Sequence, residues 1–191
     1  RGDFIEGCGI YEDPYVINSA KQIYQLYQYL SPKSVNNDSY LSGWKVNQLG
    51  KHDSHVELTY GDENFPTRDQ MRCAYYVVTA DIDLTKILDV NDHVISSDYD
   101  GIGSSDYPFA GVIYGKNGTQ YQIILPGNEK GRAKTNFGLF NVIKGAVVKD
   151  LHITTLTVAE PEKTKKDDIY ISGNGGGVAA RIVGGDNIID N

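Results

Sequence analysis

Apolar and polar positions follow two rhythms along the chain, and the change from one to the other divides it. Near the start, Ile23, Leu26, Tyr27 and Leu30 fall at i, i+3, i+4 and i+7, with Gln25 and Gln28 off that stripe. Ser19 stands as an N-cap, Gln22 three residues on completes a capping box, and Pro32 stops the segment. The spacing predicts one short helix, which must dock on something to persist. From Cys73 onward the rhythm is that of strands. The candidates are Tyr75 to Leu84, Ala110 to Tyr114, Tyr121 to Leu125, Leu139 to Ile143, Val147 to Val158 and Gly177 to Val183, with another starting at Asn187 to Asp190. Glycine-rich corners separate them, among them Gly115-Lys116-Asn117-Gly118, Gly145 and Gly173-Asn174-Gly175-Gly176. No helix is predicted between these strands, which argues against a helix-crossover α/β sheet. Residues 31–72 are polar, with short apolar runs such as Val56 to Tyr60, and read as loops with one hairpin.

A weak repeat lies within the strand region. Gly138-Leu139-Phe140-Asn141-Val142-Ile143, then Gly145 and Val148-Lys149-Asp150, recurs as Gly177-Val178-Ala179-Ala180-Arg181-Ile182, then Gly185 and Ile188-Ile189-Asp190. A repeat of about 40 residues built from short strands and glycine corners signals a solenoid or propeller-like array. A β-sandwich carrying a chance match is the alternative.

Composition narrows the function classes. The 191 residues carry 18 Lys plus Arg against 25 Asp plus Glu, a formal net charge of −7. That sign offers no footprint for nucleic acid or an anionic membrane surface. No stretch approaches the roughly 20 apolar residues of a membrane helix. The abrupt opening at Arg1-Gly2-Asp3 fits a mature or trimmed segment. The two cysteines, Cys8 and Cys73, are compatible with one disulfide and equally with two thiols.

Candidate chemistry is sparse. His52-Asp53-Ser54-His55 is the one local group of metal-ligand types, but it lacks a third ligand at useful spacing, so solvated histidines are expected. His93 and His152 stand alone. Asp98-Tyr99-Asp100-Gly101 and Asp106 suggest calcium, yet the EF-hand ligands around the Gly are missing, which leaves an acidic turn as the simpler reading. Gly173 to Gly177 precedes a strand and not a helix, so it is a corner and not a phosphate cradle. Asp81 and Asp83 share a strand face, but a glycosidase needs two carboxyls about 5 to 9 Å apart in a cleft. Lys130, Arg132 and Lys134, the cations a lyase would add, fall together in one loop. No Ser-His-Asp or Cys-His set can be assembled, so no catalytic, cofactor-binding or metal residue is assigned. Tyr residues in or near loops are the remaining binding feature, with Tyr40, Trp44, Tyr99 and Tyr107 as candidates for stacking on a ligand.

Several phrases resemble a known family. Glu12-Asp13-Pro14-Tyr15-Val16-Ile17-Asn18-Ser19-Ala20 is similar to an "EDPYVI-x-(T/S)-A" entry segment that precedes a cap helix in many bacterial surface proteins. Tyr75 to Leu84 resembles their "Y-x-L-T-x-D-I-D-L" strand, and Phe109 to Gly118 their "F-x-G-x-x-D-G-N-G" corner. Gly138-Leu139-Phe140-Asn141 resembles the GLUG motif, with Asn141 in place of its last Gly. The resemblance implies a mainly β fold: a right-handed parallel β-helix (solenoid) with an N-terminal cap helix and a loop-rich insertion. The corresponding segments are 1–30 for entry and cap, 31–72 for the insertion, and 73–191 for β-helix coils continuing beyond Asn191. It further implies a non-catalytic structural or adhesive module of an exported cell-surface protein, contacting a host or bacterial glycan or protein. The alternatives are a non-catalytic region of a secreted metalloprotease and a polysaccharide-degrading enzyme.

Overall fold

In the computed structural model, residues 2–32, 38–87, 99–126, 134–155, 171–175, 177–184 and 186–190 are described. Ser19 starts the first helix as its sequence dictates. Its hydroxyl accepts from the Gln22 amide while Gln22 Oε1 accepts from the amides of Asn18 and Ser19, and α1 runs Ala20–Leu30. The expected polar face is not exposed, because every residue from Gln22 to Leu30 is buried. Two of the three glutamines, Gln22 and Gln28, offset burial by bonding to backbone or to another buried side chain. Gln22 Nε2 donates to the carbonyls of Asp3 and Val16, and Gln28 Nε2 to the Tyr24 hydroxyl. Among the described residues, Gln25 Oε1 is buried without a hydrogen-bond partner.

Residues 38–72 are more ordered than their polarity suggests. They contain α2 (Asp38–Leu41), an antiparallel hairpin of β2 (Lys45–Leu49) and β3 (His55–Thr59), and α3 (Arg68–Arg72). A second capping box, Thr67 with Gln70, starts α3. Both α2 and α3 pack on α1. Trp44 is fully buried, its indole N–H donating to the Gly2 carbonyl, and its ring meets Phe4, Tyr29 and Phe65 at 5.4 to 5.8 Å.

Among the other described residues the strands are parallel. One sheet of five lines up β1 (Tyr15–Ile17), β4 (Tyr75–Val78), β6 (Val112–Gly115), β10 (Val147–Lys149) and β14 (Ile188–Asp190), all parallel. A second joins β5 (Ile82–Asp83), β7 (Tyr121–Leu125) and β11 (Leu151–Thr155). Two-stranded sheets pair β9 (Phe140–Ile143) with β13 (Ala179–Ile182), and β8 (Lys134–Phe137) with β12 (Ile171–Gly175). Two predicted strands break at corners. Tyr75 to Leu84 divides into β4 and β5, and Val147 onward divides at Asp150, whose φ of 52° turns the chain between β10 and β11. Residues 156–158 of that second strand lie outside the described residues. The run Gly173 to Gly175, expected as a corner, is strand and belongs to β12.

The expectation of a mainly β, right-handed β-helical solenoid is overturned. Helices and a hairpin share the core with the parallel strands, giving mixed α/β content, and the strands divide among several separate sheets. The physical reason lies in the first half of the chain. One hydrophobic cluster takes in Phe4, Trp44 and Met71 together with Ile113, Phe140 and Val148, so α1 is an interior element and not an end plug. What the repeat does track is strand register. Phe140 pairs with Ala179 and Val142 with Arg181, the alignment of the two glycine-strand phrases, whereas Val148 pairs with Ile189, one residue off it.

Gln25 supplies a stability test. Replacing it with Met keeps the volume and removes a buried acceptor that lacks a partner, so Gln25→Met is expected to stabilise the fold by about 1 kcal/mol. Chemical denaturation of the two proteins side by side checks this, and a loss of stability would mean that the amide has a partner.

Candidate functional site

The N-terminal loop is shaped by two glycines. Gly7 and Gly9 have φ of 79° and 75°, and a Cβ on Gly7 would fall 1.8 Å from the Pro14 carbonyl oxygen. The chain therefore folds back on itself: the Cys8 amide donates to Asp13 O at 2.8 Å and the Asp13 amide to Ile10 O at 3.1 Å. That return brings the Cys8 thiol and the Asp13 carboxylate to one place. The hairpin adds His55, whose Nε2 lies 2.8 Å from Asp13 Oδ2. Asn47, opposite Glu57 in the hairpin, fixes the imidazole from the other side, its Nδ2 standing 3.1 Å from His55 Nδ1 and 2.5 Å from Ile5 O. Because the carbonyl can only accept, the Asn47 amide nitrogen points both ways as a donor. His55 then accepts at Nδ1 and carries its proton at Nε2, facing Asp13. Burial, followed by the hydrogen bond to Asp13 and the negative charge of that carboxylate, pushes the Cys8 thiol up to about 11. Burial also raises the neighbouring Tyr15 hydroxyl far above its ordinary range.

Two adjoining clefts open here. The first, about 480 Å³, is lined by Cys8, Tyr15, Leu49, Met71 and Cys73 among others. The second, about 460 Å³, runs over the outer face of the five-stranded sheet past Val112, Tyr114, Val147 and Lys149. Tyr11 and Tyr75 belong to both. Their rings meet edge to face at 5.8 Å, and Tyr11 is 74% exposed. A ligand in these clefts would meet Tyr11 and Tyr75, and in the second cleft Tyr114 as well.

The aromatics singled out from sequence do other work. Trp44 and Tyr99 are buried core residues, and the Tyr99 hydroxyl donates to Leu139 O. Tyr40 stands edge-on to Tyr24 at 5.5 Å, and Tyr107 lies 5.8 Å from the Arg68 guanidinium, which also covers Tyr29. Cys8 and Cys73 are both free thiols, one buried and one exposed. Asp81 accepts from the Gln122 amide and Asp83 from the Thr85 amide and hydroxyl, so both carboxylates hold corners. The hydrogen bonds from Thr85 and the nearby Lys86 ammonium, 3.6 Å from Asp83, outweigh partial burial and hold the Asp83 carboxyl below its usual range. His52 and Asp53 sit in the turn between β2 and β3, apart from the cluster that His55 joins, and His152 is exposed on β11. Around Asp106, the Tyr107 amide donates to Ser104 Oγ and the Ser104 amide to Tyr107 O, closing a turn. Asp98, His93, Lys130 and Arg132 lie outside the described residues, and Lys134 begins β8.

Sequence reasoning paired His55 with His52 and overlooked Cys8 and Asp13. The signal was present in Gly7-Cys8-Gly9 and Asp13-Pro14, a return loop around two potential ligands.

Compared with protein-family models, curated proteins and solved structures, the chain finds no match in any of the three. Among the described residues no helix is long and apolar enough to cross a membrane.

The two thiols are expected to differ in reactivity. At pH 8, iodoacetamide should label Cys73 quickly and Cys8 slowly, with Cys8 labelling rising as pH approaches 11. Because the folded-state value is raised, the neutral Cys8 thiol contributes stability fully below about pH 9 and loses it as pH climbs to about 11. Peptide mapping of the labelled sites checks the order, and equal rates at pH 8 would contradict it.

Proposed function

We propose that this chain is a non-catalytic structural and adhesive module of an exported bacterial cell-surface protein, using the Tyr11–Tyr75 clefts to contact a surface glycan or protein. The observation that carries this reading is the exposed aromatic wall. Tyr11 keeps most of its ring in solvent while resting against Tyr75, and Tyr114 and Lys149 continue the same face. Rings presented this way suit stacking on the apolar face of a sugar or on a partner side chain, with Lys149 able to meet an acidic group. The strands beneath this wall lie in one five-stranded parallel sheet, which fixes the spacing of the rings on it. Against the polysaccharide-degrading alternative stands the fate of its best carboxylates. Asp81 and Asp83 are committed to corner amides and are not poised over either cleft. Placement outside the cell rests on the resemblance of the opening phrase and the strand phrases to bacterial surface proteins.

Screening the protein on an array of immobilised glycans and extracellular-matrix proteins tests the reading. Binding is expected, and Tyr11→Ala with Tyr75→Ala should weaken it at least tenfold while leaving the melting temperature of the fold within a few degrees. Binding unaffected by the double variant would remove these clefts from the function. Turnover of an acidic polysaccharide that is abolished by Asp81→Asn would overturn the non-catalytic assignment.

A further inference from the structure

Beside the adhesive clefts sits a group of side chains with different chemistry, and the inference from it stands apart from the reading above. One ligand atom each from Cys8, Asp13 and His55 lie within 4.8 Å of one another. We propose that these three residues form a binding site for a divalent transition cation of the zinc type. A thiolate, an imidazole and a carboxylate together are a donor set that suits such a borderline-soft ion and suits calcium or magnesium poorly. Around a tetrahedral zinc, bonds of about 2.0 to 2.3 Å place ligand atoms roughly 3.3 to 3.8 Å apart, so the cluster has to tighten only modestly.

The setting favours such a site. Gly7 and Gly9 hold the Cys8–Asp13 return in a conformation that a larger residue at position 7 would block, so two ligands are fixed relative to each other by the backbone. The third comes from a paired strand and not from a loose loop. Cys8 is buried, whereas the side chains of Asp13 and His55 are 34% and 42% exposed, which leaves a route in for the ion. Cys8 also lines the larger cleft. Three protein ligands beside a cleft leave the fourth position for water or a ligand group.

The Cys8 thiol releases its proton to solvent and binds as thiolate. The His55 ring binds through Nε2, and its proton moves by exchange with water to Nδ1. The Asn47 amide nitrogen cannot accept that proton, so the His55–Asn47 hydrogen bond breaks on loading and water accepts from Nδ1 instead. Asp13, which accepts from His55 in the metal-free protein, turns the same oxygen to the ion. Asn47 thus holds the metal-free arrangement, and binding has to break that contact.

Titration of the metal-free full chain with cobalt(II), followed by zinc(II) competition against a chromophoric chelator, tests the site. One equivalent of cobalt is expected, with a thiolate-to-metal charge-transfer band that zinc abolishes. Cys8→Ser should remove the band and Cys73→Ser should keep it. His55→Ala, a half-exposed hairpin position, should weaken zinc binding at least tenfold without loss of the circular-dichroism signature. In the unaltered protein, one equivalent of zinc should protect Cys8 from alkylation at pH 9, a readout that needs no variant to fold. A missing charge-transfer band, a band lost in Cys73→Ser, unchanged zinc affinity in His55→Ala, or Cys8 alkylation indifferent to zinc would each overturn the proposal.

Discussion

The fold depends on burying an 11-residue helix on nearly every side. Such a helix has little stability of its own, and three glutamines on it would each resist leaving water. The chain meets this constraint by using the amides as fasteners. Gln22 alone ties the helix start to the amides of Asn18 and Ser19 and to the carbonyls of Asp3 and Val16, so the N-terminal strand segment and the helix are bound at one point. At the other end the Tyr29 hydroxyl reaches Pro66 O, and the Tyr29 carbonyl accepts from the Arg68 guanidinium, which also lies over the Tyr29 ring at 4.7 Å. Apolar burial supplies the driving force, and polar side chains decide where each neighbouring segment is held.

From that helix the rest of the core follows. Phe4, Tyr15 and Tyr76 form an aromatic group whose rings touch at 5.4 to 5.8 Å and link the entry segment, β1 and β4. Phe109 stacks on Phe140 at 4.7 Å and carries the contact on toward β9. The richness of the chain in Tyr is explained here. Tyr supplies ring area for packing and a hydroxyl that can bond a carbonyl, as Tyr76 does to Met71 O at 2.7 Å, so it suits an interior crossed by loop backbone.

Local signals were legible in the sequence, and the global arrangement was not. The Ser19–Gln22 cap and the limits of Tyr121–Leu125 follow from residues only a few positions apart. Thr67–Gln70 carries the same capping signature, but the polarity of its surroundings masks it. The 39-residue repeat was readable because Phe140 and Ala179 pair, yet similar strands at regular intervals serve more than one architecture, and the mixed α/β arrangement depends on contacts across the whole chain. Polar spacing misled in one direction. Gln25 and Gln28 look like a solvent face until the partners that cover them are known. Aromatic residues misled in the other, because Trp44 and Tyr99 in polar stretches read as exposed when the loops around them fold inward. The cluster at Cys8, Asp13 and His55 was hidden for the same reason. His55 is distant in sequence from Cys8 and Asp13, and the gap closes only when Phe4 bridges to Val46 on the hairpin whose β3 carries His55.

The pairing of Tyr15 with Tyr76 has a consequence for biogenesis. Strand β1 leaves the ribosome about 60 residues ahead of its neighbour β4, so at a synthesis rate of about 5 to 20 residues per second it waits several seconds without a sheet. Throughout that interval the Cys8 thiol lacks the walls that later cover it, and Cys73 emerges only at the end. The two cysteines line one cleft of the folded chain, so the docking of β4 is the step that brings them to the same place.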